Sequence, residues 1–304
     1  QFNDYMYLHV RDLWSDWDLT LGRMGLPWGH EVAGAFRTNP YFVSNSLVDQ
    51  LYGNRQLTGA YFSTESDDGN WNWGLGLHNG DQSNPASGYI HLYPAAVIGG
   101  LTGLPTGAVI PTNYPVGPFD SAAATPNGIN NNEDDAFGFL LHVGARSQDG
   151  DFRWDLNYFT NGGDNSFVVG AAAGFGSMSY LNLGGDYRVN EHWAVSAEYV
   201  QGSVELNTAG ATLAAARTAG PANSWVEDDF TTWYLQLVYN MDHKSSLALR
   251  MSDHSYDATG STGGGATGTL IADDEVSELA LSYSRKVSDN GTLIVEYSAP
   301  DWDK

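Results

Sequence analysis

The feature that most constrains this chain is a regular alternation in the length of its connections. Segments of about ten residues alternate apolar and polar side chains with a period of two. In residues 231–241, Trp233, Leu235, Leu237, Tyr239 and Met241 share one face, and Thr232, Tyr234, Gln236, Val238 and Asn240 share the other. Phe152, Trp154, Leu156 and Tyr158 likewise oppose Arg153, Asp155 and Asn157. Twelve strands are predicted, roughly at 4–12, 16–25, 56–65, 70–79, 136–147, 151–160, 177–188, 192–205, 231–241, 245–256, 276–287 and 291–299. Short connections at Leu13–Ser15, Ser66–Gly69, Gln148–Gly150, Val189–Glu191, Asp242–Lys244 and Ser288–Asn290 alternate with long ones. The long ones span Leu26–Arg55, Gly80–Asp135, Asn161–Gly176, Leu206–Phe230 and Asp257–Glu275. Tight turns at one end and long loops at the other define an all-β, antiparallel up-and-down transmembrane β-barrel. Greek-key sandwiches do not keep such strict alternation.

Composition fits a barrel and excludes several alternatives. Mean hydropathy is −0.32, and no run approaches the ~18–20 apolar residues that a membrane helix requires. Barrel strands hide their hydrophobicity from such averages, because only every second residue meets lipid. The apolar faces often begin or end in Trp or Tyr, as aromatic girdles at a membrane interface do. The chain is therefore expected in the cell outer membrane, against lipid and lipopolysaccharide. No cysteine is present, which excludes a disulfide framework and thiolate metal sites. A net charge of −23 argues against nucleic acid as a partner and predicts a surface that attracts cations. Residues 1–304 read as a single β-barrel domain. Its first and last connections are both short, so the outer strands start and end on the long-loop side. Bacterial barrels keep both ends in the periplasm. The expectation is thus that terminal strands are lacking and that the intact barrel has about fourteen to sixteen. The other reading is a complete twelve-stranded barrel.

The stretch Asp18-Leu19-Thr20-Leu21-Gly22-Arg23-Met24-Gly25-Leu26-Pro27-Trp28-Gly29-His30-Glu31 resembles a strand ending of the phosphate-selective porin (O/P-type) family. Phe42–Leu47, Asn54–Gly59 and His78–Asp81 resemble later segments of the same family, and the likeness covers roughly residues 4–81. It implies a sixteen-stranded, trimeric porin, hence a homotrimer. Phosphate selectivity does not follow, because it needs a ladder of Arg and Lys and this chain has ten Arg and three Lys.

Porin selectivity comes from lumenal side chains and from loops folded among them. Taking the polar face of each strand as lumenal gives Arg11, Arg146, Arg153, Asp155, Glu198, Arg250, Glu278 and Glu296 as pore-lining candidates. Arg on a lipid-facing position would cost roughly 2–4 kcal/mol near the midplane, which supports that assignment for Arg153 and Arg250. The alternative for these charges is mutual pairing across the lumen. The long loop 80–135 holds the apolar stretch Tyr89–Gly100 and is expected to fold into the pore. Acidic clusters at Asp67-Asp68, Glu133-Asp134-Asp135, Glu227-Asp228-Asp229 and Asp273-Asp274-Glu275 sit in or beside connections. Solvated charge is the simplest account of them, and Ca²⁺ bridging of lipopolysaccharide the other.

Gly-x-Ser-x-Gly, His-Glu-x-x-His and P-loop signatures are lacking, so no enzymatic activity, no metal site and no cofactor are expected. The expected function is an outer-membrane porin, a passive diffusion channel for small hydrophilic solutes or ions, general or weakly cation-favouring. The alternatives are a structural barrel that sheathes or tethers a partner protein, and a soluble all-β binding protein.

Overall fold

The computed structural model describes residues 6–25, 32–33, 36–37, 41–44, 46–48, 56–81, 137–160, 165–169, 172–209, 223–261, 269–288 and 291–303. Its strands are β1 (Met6–Trp14), β2 (Trp17–Gly25), β3 (Val32–Ala33), β4 (Phe36–Arg37), β5 (Gln56–Glu65), β6 (Trp71–Asp81), β7 (Gly138–Arg146) and β8 (Phe152–Thr160). They continue with β9 (Asn165–Val169), β10 (Ala172–Arg188), β11 (Trp193–Ala209), β12 (Asn223–Asn240), β13 (Ser245–Ser261), β14 (Thr269–Ser288) and β15 (Gly291–Asp303). The main sheet runs β1-β2-β5-β6-β7-β8-β10-β11-β12-β13-β14-β15, with β9 pairing β10 at its side, and β3 and β4 form a separate two-stranded ladder. Every pairing along the main path is antiparallel. Among the described residues no pairing joins β1 to β15, so the sheet is open there.

Each of the twelve expected strands is found, yet β10–β15 run further toward the long loops than the apolar alternation reaches. Trp225↔Ser261 and Thr208↔Ser224 are still in register. Backbone pairing needs no apolar side chain, so the ladder continues past the point where alternation stops. Two acidic clusters therefore lie inside strands rather than in connections. Asp228 and Asp229 belong to β12, Asp273 and Asp274 to β14, and Asp229, Asp257 and Asp273 stand directly opposite one another across three strands. Residues 82–136 lie outside the described residues, and with them the Tyr89–Gly100 stretch expected in the pore and the cluster Glu133–Asp135.

Burial is inverted relative to a water-soluble protein. Leu183 and Leu281 are 48% and 51% exposed, while Asn157, Thr232 and Arg250 are fully buried. In water this would leave apolar area uncovered and desolvate polar groups, both unfavourable. Against hydrocarbon the same arrangement is the stable one, as in a transmembrane β-barrel of the outer-membrane type. At the short-turn end the outward face carries exposed aromatics, among them Trp71, Phe152, Tyr187, Trp193 and Tyr239. Trp193 and Tyr239 pack with ring centroids 4.6 Å apart.

Two short turns are built to one plan. Ser66 and Ser147 each donate their hydroxyl to the carboxylate two residues on, Asp68 and Asp149. Those carboxylates accept the backbone N–H of Asn70 and Asp151, each at 3.1 Å. Each serine hydroxyl accepts the N–H of the first residue of the next strand, Trp71 or Phe152, at 3.0 Å. Gly69 and Gly150, at φ 67° and 73°, take the left-handed position that the turn requires.

Candidate pore lining and inner segment

Because side chains alternate across a strand, each inner-face residue meets an inner-face residue on its neighbour, and the register sorts them into rows. Nearest the long loops one row runs Leu140, Phe159, Tyr180, Gly202, Phe230. It is apolar, and its aromatics stack: His78 lies over Phe159 at 5.1 Å and Phe159 beside Tyr180 at 5.0 Å. Two residues closer to the short turns the row is His142, Asn157, Asn182, Val200, Thr232, His254. The next contains Asp155, Glu198, Tyr234, Ser252 and Glu278.

A continuous polar chain links these last two rows. Asn157 Nδ2 donates to Asp155 Oδ2 and to Asn182 Oδ1, both at 2.8 Å. Asn182 Nδ2 donates to Glu198 Oε1 at 2.7 Å. The His142 ring nitrogens lie 2.5 Å from Asn157 Oδ1 and from Asn72 Oδ1. A buried carboxylate is tolerable only when donors surround it, and here the amides supply them. Glu198 is 4% exposed and Asn157 0%.

On the opposite part of the sheet, a segment from the connection between β2 and β5 packs on the inner face. Phe42 is fully buried against Val238, Ala248 and Ala280 of β12, β13 and β14, with Tyr41 and Ala194 beside it. Small residues at Ala248 and Ala280 leave the volume that its ring fills. Arg250, itself fully buried, donates from Nη1 to the Ser44 carbonyl at 3.0 Å and from Nη2 to the Ser44 hydroxyl at 2.9 Å. Its guanidinium carbon stands 4.5 Å from the Phe42 ring centroid, within cation–π range. Glu296 on β15 accepts the backbone N–H of Ser44 at 3.0 Å and also the N–H of Val43 and the Ser44 hydroxyl. Ser282 donates to the Tyr41 carbonyl at 2.7 Å. Two side chains of opposite charge thus grip one residue, Ser44, from two sides.

The eight candidate pore-lining residues fall into groups. Arg250 and Glu296 come together at Ser44, and Glu278 Oε1 lies 3.8 Å from Arg250 Nη2. Asp155 and Glu198 belong to the amide chain. Arg146 and Arg153 face each other directly across β7 and β8, and each turns to a carboxylate on its far side. Arg153 pairs with Asp186 at 2.6 Å, and Arg146 pairs with Glu65. Arg11 follows inner-face His9 by two residues, beside the register irregularity between Val10 and Trp14. Residues 41–44 and 46–48 are not among the sequence candidates. The signal that could find them is Phe42, Leu47 and Val48, apolar residues within a long connection. The longer apolar run at Tyr89–Gly100 is the more conspicuous one.

Among the described residues no group of three or more His, Asp or Glu is arranged to hold a metal ion.

No protein-family model matches the chain, and no curated protein matches it. Among solved structures the chain is similar to OmpT of Vibrio cholerae expressed in the outer membrane, at 15% identity and a TM-score of 0.49. The likeness covers 94% of this chain and 67% of that one. The in-vitro folded form of OmpT, an outer membrane protein of the same organism, gives 14% identity and the same TM-score over 94% and 66% of the two chains. The Pseudomonas putida toluene transporter TodX gives 11% identity and a TM-score of 0.32 over 81% and 70%. At this level of similarity the neighbours say nothing of what this chain conducts or catalyses. The expectation of a chain without enzymatic activity is corrected: it rests on missing catalytic signatures alone, and the neighbours, OmpT and a transporter among them, do not support it. One fold hosts unrelated functions, so a missing motif does not decide against catalysis.

Proposed function

We propose that the barrel is a passive diffusion channel for small hydrophilic solutes or ions, weakly favouring cations and narrowed from within by residues 41–44 and 46–48. The observation that carries this reading is the grip of Arg250 and Glu296 on Ser44. A segment tied to the inner wall reduces the free cross-section without closing the sheet around it. Pore selectivity follows the charges beside such a constriction. Here the carboxylates of Asp155, Glu198, Glu278 and Glu296 share the inner face with Arg250. Arg146 and Arg153, each paired, would line the short-turn end with Arg11. The resemblance of residues 4–81 to phosphate-selective porins supports a porin, and the few cationic side chains support a general rather than a phosphate-selective one.

Planar-bilayer recording tests this reading. Ohmic conductance steps are expected, with a reversal potential of cation-favouring sign in a KCl gradient. Silence from well-folded protein would sink the proposal. The double variant Arg250→Ala/Glu296→Ala frees Ser44 and is expected to raise the single-channel conductance. An unchanged conductance would remove the segment from the constriction.

A further inference from the structure

A second feature of the inner face lies away from the gripped segment, at the short-turn end of β1, β2, β5 and β6. A cavity of about 550 Å³ opens there, lined among others by Asp12, Asp16, Asp18, Glu65, Asp67 and Tyr61. No Lys or Arg lines it. Two of its carboxylates are already engaged: Asp18 with His9 at 3.3 Å and with the Asp12 N–H at 3.0 Å, and Glu65 with Arg146. The carboxylates of Asp12, Asp16 and Asp67 have no partner among the described residues.

Carboxylates at a turn are by themselves only solvated charge. Tyr61 makes this group different. Its side chain is 8% exposed and lines the cavity, and its hydroxyl makes no hydrogen bond among the described residues; unlike the Tyr180 hydroxyl, it is not sealed from the cavity. The ring leans from its own row over Gly74, where a Cβ would come 1.8 Å from the hydroxyl oxygen. Gly74 pairs with Ser63, one row nearer the short turns than Tyr61, so the hydroxyl is carried into the acidic cavity. A glycine at 74 thus lets the phenol reach a cavity that five carboxylates line alongside Ser63, Thr64, Asn72 and His142.

We propose that this cavity binds small organic ammonium ions, with primary amines as the ligand class. An ammonium group brings the donors and the positive charge that the unpartnered carboxylates lack, and the phenol oxygen can accept a further N–H. The cavity is far larger than a single water or metal ion, whose volume is about 30 Å³ or less, and falls in the range of small-molecule sites. Bare divalent ions need three or more oxygens converging on one point, and no such convergence exists among the described residues, whereas an ammonium group needs only one or two carboxylates beside the phenol. The site's place on a permeation route rests on the channel reading above. The binding itself does not.

The test is equilibrium binding of n-butylammonium chloride to the folded chain in detergent, followed by titration calorimetry at fixed ionic strength. Butan-1-ol serves as the neutral isostere. Butylammonium is expected to bind saturably and butan-1-ol not. Asp16→Asn/Asp67→Asn is expected to weaken binding by about tenfold or more, since hydrogen bonds to charged groups are the strong ones. Tyr61→Phe keeps the ring over Gly74, so it tests the hydroxyl without emptying the core. It is expected to weaken binding by about three- to tenfold. Equal binding by the alcohol, undiminished binding by the double variant, or tighter binding of Ca²⁺ than of butylammonium at the same site would each overturn the proposal. Binding without bilayer conductance would sink the channel reading and leave the site standing. Conductance without binding would do the reverse.

Discussion

Arg250 is the residue on which the inner face turns. A fully buried guanidinium needs both a counter-charge and acceptors, and Glu278 and Ser44 provide them. Truncating one partner of a buried ion pair typically costs about 3–5 kcal/mol, because the other charge is left without compensation. Arg250→Ala is expected to lower the urea-unfolding free energy by about that amount, and Ser44→Ala by about 1 kcal/mol. A double-mutant cycle between the two should show strong coupling, and simple additivity would mean that the grip on Ser44 carries no energy. At the short turns, the Ser66 hydroxyl, with the Asn70 N–H, holds the exposed Asp68 carboxyl below its ordinary range, and the Ser147 hydroxyl does the same for Asp149. A carboxyl whose folded pKa is depressed adds stability at neutral pH and loses it as pH falls from the ordinary value of 3.8 through the lower folded value. The variant Ser66→Ala/Ser147→Ala should therefore melt below the native chain in micelles at pH 7. The gap should close as the pH drops under 3.8. A gap independent of pH would mean that the hydroxyls act through turn geometry alone.

At the scale of elements, strand positions are largely legible because alternation and turn chemistry are local. Trp233, Leu235, Leu237 and Tyr239 announce one face of β12 without reference to anything else in the chain. What lies beyond reach is how an inner face fills itself. Tyr61 belongs to a mostly polar face, and only the register of β5 on β6 shows that its ring occupies the space above Gly74. A methyl group there would displace the Tyr61 ring, so Gly74→Ala is expected to destabilise the barrel by about 1–3 kcal/mol, as overpacking does. Tyr61→Ser in the same chain should recover much of that loss, which thermal unfolding of the single and double variants would show. The extra length of β10–β15 is hidden for a related reason. The backbone ladder continues there, while Asp228, Asp257 and Asp273 carry no apolar period.

For the whole molecule the decisive property is its inverted burial, which makes lipid rather than water the solvent of the outer face. Leu237 is outward on β12 and its neighbour Gln236 is inward and buried. Leu237→Arg is expected to cost about 2–4 kcal/mol of unfolding free energy in lipid vesicles if it lies near the midplane. The same change at Leu237 should be nearly neutral in a water-soluble sheet, where a partly exposed position tolerates charge, so urea titration in vesicles separates the two. The sequence by itself determined the all-β class, the meander, the sidedness of turns and loops, and which face of each strand is polar. All of these follow from periods of two residues and from turn chemistry, which act between near neighbours. Only the tertiary structure decided that Phe42 and Ser44 lie against β12–β15, that Arg250 and Glu296 converge on one residue, and that Tyr61 reaches into an acidic cavity. Those contacts join residues as far apart as Val43 and Glu296, and nothing in local pattern encodes a meeting made by the curvature and register of the sheet.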